Sequence, residues 1–202
     1  MTIDVISFFC YNKNGDDMGW FTNKKEMNSK TMTSAVYESV RIRNSEIEPI
    51  LDRTGAIYDP IENQLVVMAI NFEIMNWVLK KGNPKEIVNP IIEASYQKFF
   101  SNLRVDENTK REYEKIMVNA KEKADEILFS RFKQRVPKYV LIYMLLLELE
   151  DIKESIIEPS MRKELEMLVN GWFQVAEAIN NEYKIVDREE DLEKNKPIDF
   201  DF

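Results

Sequence analysis

The stretch EPSMRKELEMLVNGWFQVAEAINNEY, residues 158–183, decides the class of this fold. Met161, Leu165, Leu168, Val169, Trp172, Ala176, Ile179 and Tyr183 recur every three or four positions over about six turns, the spacing that aligns one face of an α-helix. Glu158-Pro159-Ser160 opens it, with proline in the first turn, where its missing N–H has no helical partner to lose.

Working outward, residues 138–157 begin almost wholly apolar and become one-sided after Leu147, which predicts the central helix of the core. Pro137 separates this segment from a helix over 106–136, whose stripe is Tyr113, Ile116, Met117, Ala120, Ala124, Ile127 and Leu128. Asn83-Pro84-Lys85-Glu86 and Asn89-Pro90 are two start signals ahead of a helix over 90–103. Asp59-Pro60-Ile61-Glu62 is another, with aspartate as N-cap, proline at the first helical position and glutamate at capping-box spacing. That helix is expected to reach residue 81 and to end with Gly82 at C′. Glu73, Asn76 and Lys80 share one of its faces, leaving the rest apolar around Trp77. The competing pattern is a hairpin through 59–64 followed by a buried strand over 65–70.

The first 58 residues read differently. Residues 3–12 form a strand-like run, Asn14-Gly15 is a two-residue turn signal, and 18–22 supply a return strand. A polar loop is expected over 23–33, and Val36, Val40 and Ile42 fit either an alternating strand or a weak helix. From Asp187 onward there are seven acidic and three basic residues, the composition of a mobile acidic tail. The expected architecture is therefore mainly α, about five helices with a small strand-containing β-hairpin element at the N-terminal side. It divides into 1–58, a helical domain over 59–184 and a tail over 185–202.

Composition narrows the chemistry. None of the 202 residues is histidine, so imidazole-relayed triads, histidine zinc sites and histidine-ligated haem are excluded. The net charge of −8 opposes general coating of nucleic acid, which depends on neutralising phosphates. Cys10 is the single cysteine, which rules out an intramolecular disulfide and favours the cytoplasm. The longest apolar run, 139–147, falls well short of the roughly 20 residues of a membrane span, and residues 1–11 carry no positive n-region, so neither a signal peptide nor membrane association is expected. Isoleucine and asparagine supply 38 residues against 13 for alanine and glycine, a skew of A+T-rich codons that points to a low-GC bacterium or its phage.

Three constellations carry candidate chemistry. Glu122-x-x-Asp125 and Glu148-x-x-Asp151 each set two carboxylates on one side of a helix, as hard-oxygen magnesium sites require. This resembles the paired E-x-x-[ED] motifs of the all-α nucleoside triphosphate pyrophosphohydrolases, and the resemblance implies magnesium-dependent nucleotide hydrolysis. At about 100° per residue, however, Glu122, Asp125 and Asp151 point away from their core stripes and only Glu148 sits at a flank. The second constellation is basic: Arg131, Lys133, Arg135 and Lys138, interleaved with Phe129, Phe132 and Tyr139, suit nucleic-acid contact, whereas a helix C-terminus would attract the same cations through its dipole. The third is hydrophobic. Trp20, Trp77, Trp172, Met144, Met161 and Met167 could line a partner groove, and Trp172-Phe173 spans enough of its helix to reach an interface. Neither a dinucleotide fingerprint nor a P-loop is present.

These readings favour a non-enzymatic cytoplasmic protein that binds another protein or itself, without a cofactor. The alternatives are the magnesium-dependent nucleotide hydrolase and a nucleic-acid-contacting component of a complex.

Overall fold

A computed structural model of the chain describes residues 24–130, 135–153 and 156–186. The hairpin expected over 3–22, Cys10, Trp20, Arg131, Lys133 and the tail beyond residue 186 lie outside these residues. The described chain is mainly α. Its elements run β1 (Lys25–Asn28), α1 (Ser29–Arg41), α2 (Glu48–Thr54), α3 (Pro60–Leu79), α4 (Lys85–Asn102), α5 (Glu107–Leu128), α6 (Lys138–Leu149), α7 (Pro159–Glu182) and β2 (Tyr183–Val186).

The central helix is α3, not the 138–157 segment. Fifteen of its 20 residues are buried, and α1, α4, α5, α6 and α7 all pack on it. The cause is composition: a helix apolar all round finds no stable place except inside. Asp59 caps it as expected, accepting from the Ile61 N–H at 2.8 Å and the Glu62 N–H at 3.3 Å. The strand alternative for 65–70 is thereby replaced by helix. On α7 most of the predicted stripe is buried, with Leu165, Val169, Trp172 and Ala176 at its centre; Leu168 is half-buried, and Tyr183 falls in β2 rather than in the helix.

The loop expected over 23–33 is replaced from residue 25 by a strand and the first turns of a helix, and of the two patterns open for Val36 and Val40 the helix is the one adopted. Asn28 caps α1 by accepting from the Thr31 N–H at 2.8 Å, and Met32, Val36 and Val40 then fall on one buried face. These residues belong to the same hydrophobic core as α3 and α7. The strand in this region is β1, which pairs in parallel with β2, Lys25 opposite Tyr183 and Asn28 opposite Val186. Because β2 follows α7 directly, the last long helix returns the chain to the start of α1.

Three helix ends differ from expectation. α4 starts at the first of its two signals and carries Pro90 inside, so the Asn89-Pro90 pair is not a start. α5 stops at Leu128 rather than 136, where the Lys138 ammonium donates to the Ile127 and Leu128 carbonyls at 2.7 and 2.6 Å. α6 stops at Leu149 because Asp151 adopts a left-handed backbone, φ 51°; the Ile152 N–H then bonds Leu147 O at 2.8 Å and the Asp151 N–H bonds Glu148 O at 3.2 Å, a Schellman closure.

Gly82 is not a left-handed cap. A Cβ there would stand 2.8 Å from Asn180 Oδ1, so glycine at this position leaves room for the Asn180 side chain. Next to it, Asn83 donates to Leu79 O at 3.1 Å and Asn180 Oδ1 at 3.2 Å, and accepts from the Ile185 N–H at 3.3 Å. One side chain thus clasps the end of α3, the end of α7 and β2.

Candidate binding groove

The helices α4 and α5 both pack on α3, yet their own backbones hardly approach one another. The space between them is a cleft of about 530 Å³, with Glu73 and Asn76 of α3 and its C-cap Lys80 as the floor, Asn89, Pro90, Ile92 and Glu93 of α4 as one wall, and Lys121 and Asp125 of α5 as the other. Sharing Glu93 and Lys121, a second depression of about 330 Å³ continues it past Tyr96, Gln97, Phe100, Glu114, Met117 and Val118. On each wall these residues recur at helical spacing, so one face of α4 opposes one face of α5 across three turns.

The floor is polar where a helix core is usually apolar. Glu73 has no exposed surface. Its Oε2 accepts from Asn76 Nδ2 at 3.0 Å, while its Oε1 has no hydrogen-bond donor. The Lys121 ammonium lies 3.9 Å from that oxygen, close enough to attract but too far for a hydrogen bond. Asn76 Oδ1 is also buried and unbonded. Burial drives the Glu73 carboxyl above the ordinary glutamate value, opposed by the Asn76 hydrogen bond and then by Lys121, with Asp125 adding to the rise and Lys80 opposing it. Beside it, the Tyr96 hydroxyl donates to Ala69 O at 3.3 Å, and burial, with Glu73 and Glu93, keeps that phenol neutral. Asn63 is likewise buried with both side-chain polar atoms unbonded, but it lies ten residues from Glu73, about 15 Å along α3.

The four carboxylates of the magnesium reading do not gather. Asp125 lines the groove, Glu122 is exposed, Glu148 is exposed and paired with Lys123 at 2.7 Å, and Asp151 lies beyond the end of α6. Because α6 ends early, Glu148 and Asp151 share no helix face. Among the described residues no group of three or more carboxylates or thiols is spaced to hold a metal ion. In the basic set, Lys138 is committed to the end of α5, and its ammonium sits 5.3 Å over the Trp77 ring, held below its ordinary pKa by burial and then by Lys81. Arg135 is exposed.

Trp172 and Phe173, expected at an interface, are buried within the chain. The Trp172 indole N–H donates to Glu46 Oε2 at 2.8 Å, and Phe173 meets Trp77 edge-on at 5.9 Å. Met161 is buried too, whereas Met144 and Met167 are exposed. Reasoning from sequence placed Glu73, Asn76 and Lys80 together on one face of α3 but not under a groove. Their spacing on an otherwise apolar helix is the signal that marks them. No protein-family model, curated protein or solved structure matches this chain.

At the far end of α3, the Glu150 carboxyl is pushed up to about 7 by burial, then by Glu62 and Asp59. Because the folded-state value exceeds the unfolded one, stability from the neutral carboxyl is full at low pH and is lost as pH rises from the ordinary glutamate range towards 7. Discounted for solvent screening, the loss is about 1–2 kcal/mol. Glu150→Gln is expected to recover it: urea unfolding at pH 8 shows the variant more stable by that amount, and at pH 4 the two proteins coincide.

Proposed function

We propose that the chain is a non-catalytic cytoplasmic protein that binds a segment of another protein in the groove between α4 and α5. The observation carrying this reading is that two helices share a floor without closing on each other. The opening follows α4 from Asn89 to Phe100, about 17 Å at helical rise, a length suited to a peptide segment rather than to one small molecule. Its walls alternate apolar surface, from Pro90, Phe100 and Val118, with carboxylates. The apolar parts supply affinity, and the charges select among partners. A single cysteine in 202 residues supports the cytoplasmic setting.

A photo-crosslinking residue in place of Gln97, on the groove wall, tests this in cells against one in place of Met167, exposed on α7. The expected result is a discrete adduct with a second protein from position 97 and none from position 167. An adduct from 167 alone, or from neither, overturns the reading, and an adduct of twice the chain mass makes the partner a second copy.

A further inference from the structure

Resting on that reading, we propose that the floor of the groove is a guanidinium site, filled by an arginine side chain of the bound partner segment that donates to Glu73 Oε1 and Asn76 Oδ1.

The two unsatisfied atoms are of one kind. Glu73 Oε1 and Asn76 Oδ1 are both acceptors, both buried, and both in the floor of the same cleft. Turning the Asn76 amide to offer its nitrogen outward would set its oxygen against the Glu73 carboxylate, which the present bond to Oε2 avoids. What the site lacks is therefore donors, and buried acceptors without donors are costly to leave. Two acceptors one helical turn apart match the planar fork of a guanidinium better than the single point of an ammonium. Charge agrees with this assignment. The two connected depressions carry four carboxylates, Glu73, Glu93, Glu114 and Asp125, against two ammoniums, Lys80 and Lys121.

Lys121 occupies the approach without filling the site. Its side chain is 41% exposed while its ammonium stands 3.9 Å from a carboxylate oxygen with no exposure, so it spans from solvent to floor. Its other neighbour is the Tyr96 ring, 5.4 Å away. An incoming guanidinium displaces this ammonium to solvent, which makes Lys121 an internal competitor rather than a ligand-binding group.

The test is a titration of the full chain, followed by amide chemical shifts, with Ala-Ala-Arg-Ala-Ala capped at both ends, the same peptide carrying citrulline, and methylguanidinium alone. The expected result is shifts confined to the groove, with the arginine peptide binding at least about 10-fold tighter than the citrulline peptide. Glu73→Gln weakens the arginine peptide by about the same factor, and Lys121→Ala, on a wall helix, strengthens it about 3- to 10-fold. A role confined to folding would give Lys121→Ala no gain. Equal binding of arginine and citrulline, or weaker binding by Lys121→Ala, overturns the proposal, and so does methylguanidinium binding as tightly as the peptide, which would assign the site to a small free guanidine. A crosslinked partner at position 97 alongside a failed titration removes this inference and leaves the groove reading standing.

Discussion

Trp172→Ala is expected to lose about 3–5 kcal/mol of unfolding free energy, a large part of the 5–15 kcal/mol that holds a domain together. Trp172 is among the largest fully buried side chains and lies on α7, one of the helices packed on α3. Its removal leaves a cavity that neighbouring helices cannot fill without moving, and it takes the 2.8 Å indole donor from Glu46 Oε2, leaving Arg43 at 3.5 Å. Urea unfolding followed by circular dichroism at 222 nm measures this. Trp172→Phe, which refills part of the volume without restoring the hydrogen bond, should fall between. Met167→Ala, exposed on the same helix, should stay within about 0.5 kcal/mol of the parent protein. If Trp172 instead served an external interface, its truncation would leave the unfolding curve nearly unchanged.

The second large effect is expected at Asn83. Asn83→Ala orphans the buried Ile185 N–H and the Asn180 Oδ1, while Leu79 O keeps the Asn83 backbone N–H at 3.0 Å. Two buried groups left unpaired amount to about 2–4 kcal/mol. Asn83→Asp separates the roles of the amide: it retains an acceptor for Ile185 but sets a carboxylate against Asn180 Oδ1 and Leu79 O. Its carboxyl pKa is then raised in the folded state, so this variant gains stability as pH falls, whereas Asn83→Ala does not. Hydrogen exchange gives an independent readout, because the Ile185 amide should exchange faster in the alanine variant. Unchanged exchange there would mean that β2 is held by its pairing with β1 alone.

The parts of the fold legible in sequence are those set by local chemistry. The Asp59-Pro60-Ile61-Glu62 cap and the Met161 to Tyr183 periodicity each act within a few residues, and both lead to the helices expected. The ends of α5 and α6 were hidden because their stop signals are not the usual ones. α5 is closed by a lysine ten residues beyond it, and α6 by an aspartate in the backbone region where glycine is commoner. Asn83 illustrates the limit more sharply. As a residue before proline it reads as a helix start, yet its side chain bonds groups 97 and 102 residues away that no local pattern connects to it.

The site was half visible. The polar stripe Glu73, Asn76 and Lys80 was apparent, and an apolar helix with one polar face is ordinarily taken to turn that face to water. Here α4 and α5 flank it, so the stripe becomes a floor and Glu73 loses all exposure. The E-x-x-D pairs show the same limit: shared spacing places side chains on one face of a helix, but only packing decides what that face meets.

The most direct test of the account is a ¹³C NMR titration of the Glu73 side-chain carboxyl, assigned by its loss in Glu73→Gln. Around it stand Lys80 at the C-cap of α3, Glu93 and Tyr96 of α4, and Lys121 and Asp125 of α5. The groove floor predicts a midpoint above the ordinary glutamate value, because burial outweighs the Asn76 hydrogen bond and the Lys121 ammonium 3.9 Å away. The arginine peptide should lower that midpoint. A midpoint at or below the ordinary value in the free protein would contradict the account, since it would mean that Glu73 already holds a bonded cation or faces water and that the groove has no unmet acceptors at its floor.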